Sequence, residues 1–458
     1  MKLKATAAII ACKSVRLLAR VLHKGGTAKP GEIALKICPD ILSIVSRDVD
    51  TIVVTGTNGK TTSCRILEQT FTEAGLTCAA NRSGANLMSG IVTEFIMSCD
   101  LAGRCREKYA VMECDEGWVR KVLPQLRPRV LMVTNLFQDQ VDRYGDVSNA
   151  LAAIRTGIES SPETVLCLNA DDAVSASLGV NVPNKVVYYG LEKSAGQVSR
   201  KPGAAELTKC IFCGAELEYD YVSYAHLGGF RCPECGYSRR DTDVSVSSIE
   251  VAGTDSSTVT MRLYGGEEKR VCVNLPANYN VYNASGAIAS AVEIGIPAES
   301  ALAAVENFQC GFGRMEKFAI GQHGARMILV KNTAGCDQVI AFLASQNEAF
   351  DLVMITNNNP ADGTDISWVN DADYEKLPEM GERLGSVILS GKCAELMLER
   401  MKKAGIAEDK LSVITDYNAL TERIAAADRP VFIMPSYTGM MQYRPYLVKR
   451  CGGTDFWE

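Results

Sequence analysis

A chain of 458 residues is longer than a single hydrophobic core usually grows, so two or three domains are expected. The formal charge of −6 argues against a protein that works mainly by neutralising nucleic-acid phosphates, although a local basic patch stays open. No apolar stretch is long and charge-free enough to span a bilayer, and most of the 17 cysteines are scattered singly through apolar or helical stretches, as suits a reducing cytoplasm.

At the N-terminus, "IIAC" (9–12) has the look of a lipoprotein cleavage box. The apolar run before it is too short for an export signal, and Lys13, Arg16 and Arg20 follow at once, so no export signal is read. Drawn as a helix, Lys13, Arg16, Arg20 and Lys24 share one face while Ile10, Leu17, Leu18, Val21 and Leu22 cluster elsewhere; packing on the chain's own domain and contact with a membrane surface both fit this pattern. Residues 1–37 are read as this helix and a lead-in. From residue 50, short apolar runs alternate with helical periods: "TIVVTG" and a helix to Gly75, "YAVMEC" and a helix to Leu126, "RVLMVTN" and a helix to Ile158, then "TVLCLNA". That alternation predicts parallel strands with crossover helices.

"TIVVTGTNGKTT" sets a β-branched strand directly before a glycine-rich turn and a helix start. In that context Thr57, Asn58, Gly59 and Thr62 frame a phosphate site, Lys60 reaches the outer phosphates and the Thr61 hydroxyl ligates magnesium. Val54 stands where the general pattern has its first glycine, so the loop is a shortened variant. Glu113, Asn135, Asn169 and Asp171 follow neighbouring strands. Each alone reads as a turn or cap; grouped around one phosphate loop at the strand ends, they indicate a magnesium and nucleotide pocket.

Residues 196–240 interrupt the alternation, and within 205–240 Cys210, Cys213, Cys232 and Cys235 form two C-x2-C knuckles, each followed by a glycine. The spacing predicts one zinc held by four thiolates, closed to water and therefore structural. His226 is read as a surface residue of the loop. Lys201, Lys209, Arg231, Arg239 and Arg240 are interleaved with Glu206, Glu216, Glu218, Asp220 and Glu234, which disfavours an ATP-regulated nucleic-acid module; no nucleic-acid partner is expected. Three antiparallel strands and a helix from Asn280 to Ile294 follow, "CGFGRMEKF" (310–318) reads as a hinge, and a second α/β unit runs to the end. In it "NNNPADGTDISW" (357–368) holds Asp362 and Asp365.

"TGTNGKTT", "MECDE", "TNLFQDQVDRYGD", "LNADD", "NYNVYNASGA" and "GRME" together resemble the Mur ligases, the ATP-dependent peptidoglycan ligases, and within them the MurT branch. The resemblance implies an α/β chain with a central Mur-ligase-type ATPase domain over 38–309, carrying the inserted four-cysteine zinc ribbon, and a C-terminal Rossmann-like α/β domain over 310–458. It implies ATP and magnesium as cofactors, Glu113 as a second magnesium ligand, Asn278, Asn280 and Asn283 beside the nucleotide, and Arg314 as the linker arginine. It further implies amidation of the D-glutamate α-carboxylate of lipid II through an acyl phosphate, at the cytoplasmic membrane face, with ammonia from a GatD-type glutaminase. The chain's histidines, His23, His226 and His323, accompany no nucleophile elbow, in keeping with a separate glutaminase. Asp365, ahead of Asp362, is then expected to support that partner's catalytic histidine. An amino-acid ligase that needs no partner is the competing reading. Two departures from the branch are Gln138 in place of Arg and Thr333 in place of Pro.

Overall fold

The computed structural model describes residues 2–21, 28–82, 85–137, 147–195, 208–251, 256–308, 314–363 and 366–451. Two mixed sheets and one hairpin contain the seventeen described strands. The first sheet has nine strands in the order β11-β10-β9-β6-β5-β4-β1-β3-β2. Its parallel part is β1 (Asp50–Thr55), β2 (Cys78–Ala80), β3 (Tyr109–Glu113), β4 (Val130–Val133), β5 (Val165–Asn169) and β6 (Val186–Leu191). These strands are buried almost throughout, which is why they read as continuous apolar runs and not as alternating ones.

β7 (Glu218–Tyr224) and β8 (Leu227–Arg231) form the ribbon's antiparallel hairpin. β9 (Val244–Val251) then joins β6 in parallel, and β10 (Ser257–Leu263) and β11 (Glu268–Val273) extend the same sheet antiparallel. The second sheet, ordered β12-β13-β17-β14-β15-β16, comprises β12 (Arg314–Phe318), β13 (Ala325–Ile328), β14 (Phe350–Ile355), β15 (Leu384–Ser390), β16 (Leu411–Val413) and β17 (Val431–Pro435). All its pairs but β12–β13 are parallel. A buried bidentate ion pair, Arg444 to Glu316 at 2.7–3.1 Å, ties the last helix, Tyr437–Cys451, to β12.

The N-terminal helix Lys2–Val21 packs on helices Ala28–Ile37 and Met88–Ser98, so Ala5, Ala8, Ile9 and Cys12 share a core with Val53 and Met112 of the large sheet. Ile9 and three small residues make that contact. The leucines and Ile10 face outward: Leu3 is 89%, Leu17 64%, Leu18 60% and Ile10 47% exposed. Leu22, His23 and Lys24 lie outside the described residues, and no helix of the described chain is long and apolar enough to cross a membrane.

Candidate active site between the two sheets

β1 ends at Thr55, and the chain turns through Gly56 and Gly59 into helix Lys60–Glu73. Both glycines have left-handed φ, 123° and 86°, where a side chain is strained. Space forbids one as well: a Cβ on Gly59 would lie 2.0 Å from Asn283 Oδ1, and one on Gly56 would lie 2.2 Å from Thr134 Oγ1. The loop is therefore moulded against the ends of β4 and of helix Asn278–Glu293. Its backbone is pinned by Asn135, whose Oδ1 accepts from Asn58 N at 3.0 Å and whose Nδ2 donates to Asn58 O at 3.1 Å.

Lys60 is buried and folds back over its loop, donating to the carbonyls of Gly56 and of Thr57, the latter at 3.2 Å. It also pairs with Glu116 Oε1 at 3.0 Å. Burial pushes the Glu116 carboxyl above the usual range, with Lys60 opposing the shift. Thr61 Oγ1 donates to Glu113 Oε2 at 2.9 Å, while Asn86 Nδ2 holds Glu113 Oε1 at 3.2 Å. A hydroxyl beside a carboxylate is a hard-oxygen donor set that fits magnesium, which would neutralise phosphoryl charge there.

A cleft with about 720 Å³ of empty space, open mouth included, lies next to the loop. It is lined from the first sheet's side by Asn58, Gly59, Tyr279, Asn280 and Asn283, and from the second by Met315, Lys331, Asn332 and Gln338. Size and lining suit a nucleotide. The two sides touch directly, with Asn332 Nδ2 donating to Asn58 Oδ1 at 3.2 Å. Asn332 also caps helix Thr333–Ala344 by accepting from Gly335 N at 2.9 Å. Thr333 is that helix's first residue, a position that accepts proline readily, so the departure from the branch pattern leaves the cap in place.

Thr57, Lys60 and Thr61 belong to the loop beside the cleft and do not line it, and neither do Asn169 and Asn278. Asn169 is fully buried, its amide spent on Thr134 O at 3.1 Å and Asp171 N at 3.0 Å; it braces strand ends beneath the loop. Asn278 opens its helix but is not among the cleft's lining residues. Arg314 begins β12 opposite Ile328, while its side chain, Gln138 and Asp365 lie outside the described residues. Sequence reasoning missed Glu116, Lys331, Asn332, Gln338 and Tyr279.

In the ribbon, Cys210, Cys213, Cys232 and Cys235 bring their sulfurs within 4.8 Å of one another. Cys210–Cys235 and Cys213–Cys232 are 3.6 and 3.4 Å apart, close to the ~3.8 Å edge of a tetrahedron with zinc–sulfur bonds of ~2.3 Å. Both knuckles turn at a glycine with φ 76°. Backbone N–H groups of Cys235 and Glu234 draw the Cys232 thiol down to about 7. Four thiols in this geometry fit a structural zinc. His226 is not a surface residue: it is 2% exposed, with Nε2 3.1 Å from Asp172 Oδ1. It was misread because a glycine-rich hairpin carries no burial period in sequence. Arg239 is engaged by buried Asp171 at 2.7 Å and Arg231 by Glu218 at 2.6 Å, which removes two cations from any basic stripe.

Near the far end, Asp362 is buried and fully committed. It accepts from Thr438 N at 2.6 Å, Thr438 Oγ1 at 2.5 Å and Asn359 N at 3.1 Å. It thereby ties the loop after β14 to the start of helix Tyr437–Cys451.

Residues 54–291 match the Mur ligase middle domain and residues 329–440 the MurT ligase C-terminal domain. A relative from Staphylococcus aureus (strain COL), "Lipid II isoglutaminyl synthase (glutamine-hydrolyzing) subunit MurT", is 32% identical over 94% of this chain and 95% of its own length. The subunit of the same name from Streptococcus pneumoniae is 28% identical over 98% of each chain. Among solved structures, a pseudomurein peptide ligase type C from Methanothermus fervidus superposes with a TM-score of 0.65 at 21% identity, covering 90% of this chain and 81% of that one. MurF from Acinetobacter baumannii gives 0.65 at 17% identity, over 91% and 80%; at these identities both attest the fold alone.

Proposed function

The chain belongs to the Mur ligase family, on its MurT branch, and is an ATP-dependent ligase; from that premise we propose that it amidates the D-glutamate α-carboxylate of the lipid II stem peptide, giving D-isoglutamine. The observation that carries the reading is the pairing of Lys60 with Glu116 and of Thr61 with Glu113, in a glycine loop whose Asn58 and Gly59 line a cleft closed by a second α/β unit. Asn280, Asn283 and Asn332 would contact ATP in the cleft, and the loop would hold its phosphates. Lys60 would leave Glu116 for the outer phosphates. Transfer of the γ-phosphoryl group to the carboxylate gives an acyl phosphate, and ammonia displaces phosphate to form the amide. The protein's share is position, charge and exclusion of water.

The ammonia is assigned to a GatD-type glutaminase whose histidine Asp365 would support, and the domains would divide near residue 310. The test is ATP turnover on lipid II with glutamine or with ammonia, with and without the glutaminase. Ammonia should support turnover by this chain alone, and glutamine only in the pair. Partner-independent use of a free amino acid would overturn the proposal in favour of an amino-acid ligase.

A lipid-linked substrate calls for work at the membrane face, and the N-terminal helix offers a suitable surface. Residues 2–21 hold five Lys and Arg and no acid, in a chain of charge −6. Leu3, Ile10 and Leu17 recur every seven residues on the helix's exposed side, and charge of that sign with that stripe suits an anionic lipid surface. Deleting the helix would bare the core under Ile9 and Cys12, so surface substitution is the cleaner probe. Ile10→Ser, Leu17→Ser and Leu18→Ser together should weaken binding to phosphatidylcholine vesicles containing phosphatidylglycerol by about tenfold or more. Unchanged sedimentation with those vesicles would remove the helix from the account.

A further inference from the structure

The zinc ribbon is placed far from the nucleotide in sequence, yet its hairpin tip is packed against the segment that holds the phosphate loop. His226, at the turn between β7 and β8, meets the Phe137 ring edge-on at 4.7 Å between centroids. Phe137 is in turn bonded twice to the loop: its N–H donates to Thr57 Oγ1 at 3.0 Å, and Thr57 Oγ1 donates to its carbonyl at 3.2 Å. The residue before it, Leu136, donates its N–H to Asp172 Oδ2 at 2.8 Å, on the carboxylate that His226 reaches through Oδ1. Ser175 Oγ at 2.5 Å and Val174 N at 3.0 Å complete the surroundings of Asp172, which is fully buried.

A second connection runs alongside. Gly228 N donates to Asp171 O at 2.9 Å, and Arg239 Nε to Asp171 Oδ1 at 2.7 Å. Asp171 Oδ2 accepts from Tyr282 OH at 2.6 Å, next to Asn283, the residue that sits over Gly59. Three ribbon contacts, from His226, Gly228 and Arg239, thus end on two neighbouring acids; Asp172 is bonded onward to Leu136, and Asp171 to Tyr282 beside Asn283. A purely stabilising insertion needs no such convergence.

We propose that His226 is a positioning residue for ATP: held by the ribbon between Phe137 and Asp172, it fixes segment 135–137 and through it Thr57 of the phosphate loop. It rests on the reading of that loop as the ATP site. A small side chain at 226 would leave one oxygen of Asp172 without this partner and free the Phe137 ring to tilt, so the loop would lose preorganisation before the fold is lost.

The experiment compares His226→Ala, His226→Gln and His226→Phe in the full chain with its glutaminase. Binding of a non-hydrolysable ATP analogue, KM for ATP, kcat, melting temperature and zinc content are measured together. His226→Ala should raise the analogue's Kd and KM for ATP about tenfold, with kcat reduced less and metal content unchanged. His226→Gln, which can donate to Asp172 from a similar reach, should recover most of that loss, and His226→Phe, which keeps only the ring contact, should recover less. A lower melting temperature with wild-type analogue affinity in His226→Ala would overturn the inference, as would equal affinity loss in Ala and Gln. Failure of the unsubstituted protein to bind the analogue would instead sink the ATP assignment, and this inference with it.

Discussion

Lys60→Met should leave the chain folded and lower ammonia-driven ATP turnover by about a thousandfold or more. The buried ammonium lies among the Gly56 and Thr57 carbonyls and Glu116. The substituted methionine matches the length of the alkyl stem and keeps its packing against the loop. What it removes is the positive charge, and with it the charge that opposes the upward shift of buried Glu116. Without Lys60 the upward shift that burial gives Glu116 is no longer opposed by that cation, which favours the protonated carboxyl over an unpaired buried charge. Melting temperature should therefore move by only a few degrees while phosphate release collapses. Turnover within tenfold of the unsubstituted enzyme would mean that the loop does not grip the transferred phosphoryl group through this residue.

How much of this could be read from the chain depends on how local each device is. The strand, glycine turn and helix start proposed as the phosphate loop were legible because they are contiguous, and because left-handed backbone at Gly59 admits little else. The four-cysteine cluster was legible for the same reason, since two C-x2-C knuckles gather four sulfurs at the spacing a zinc site uses. Asn332 was not: it meets Asn58 across 274 positions, and only the packing of one sheet's strand ends on the other brings them together. Glu116 lies three residues past the expected magnesium ligand, in a short turn with no period to separate a buried counterion from a solvated acid. Asn169 is the reverse case. Its strand-end place is that of a ligand, but the side chain is used up by neighbouring backbone. In the N-terminal helix Ala5, Ala8, Ile9 and Cys12 face the core while Leu3, Leu17 and Leu18 do not, a split that a count of large apolar residues does not show.

The same distinction between committed and available groups decides the two acids of 357–368. Asp362 accepts three hydrogen bonds from groups that would otherwise be stranded under the loop, so Asp362→Ala should cost about 3 kcal/mol of stability and lower glutamine-driven and ammonia-driven turnover together. Asp365, three residues on and past Gly363 with its φ of 88°, is the acid of this motif that the proposal assigns to the glutaminase. Asp365→Asn keeps the size and loses the charge that would steady a partner imidazolium. Glutamine-driven turnover in the reconstituted pair should fall by about a hundredfold or more, ammonia-driven turnover and melting temperature staying as they were. That split separates a shared catalytic group from a merely structural one, because a disturbed loop would lower both activities and the melting temperature. Full glutamine-driven activity in Asp365→Asn would return the triad's third member to the glutaminase itself and leave "DGTD" as a turn.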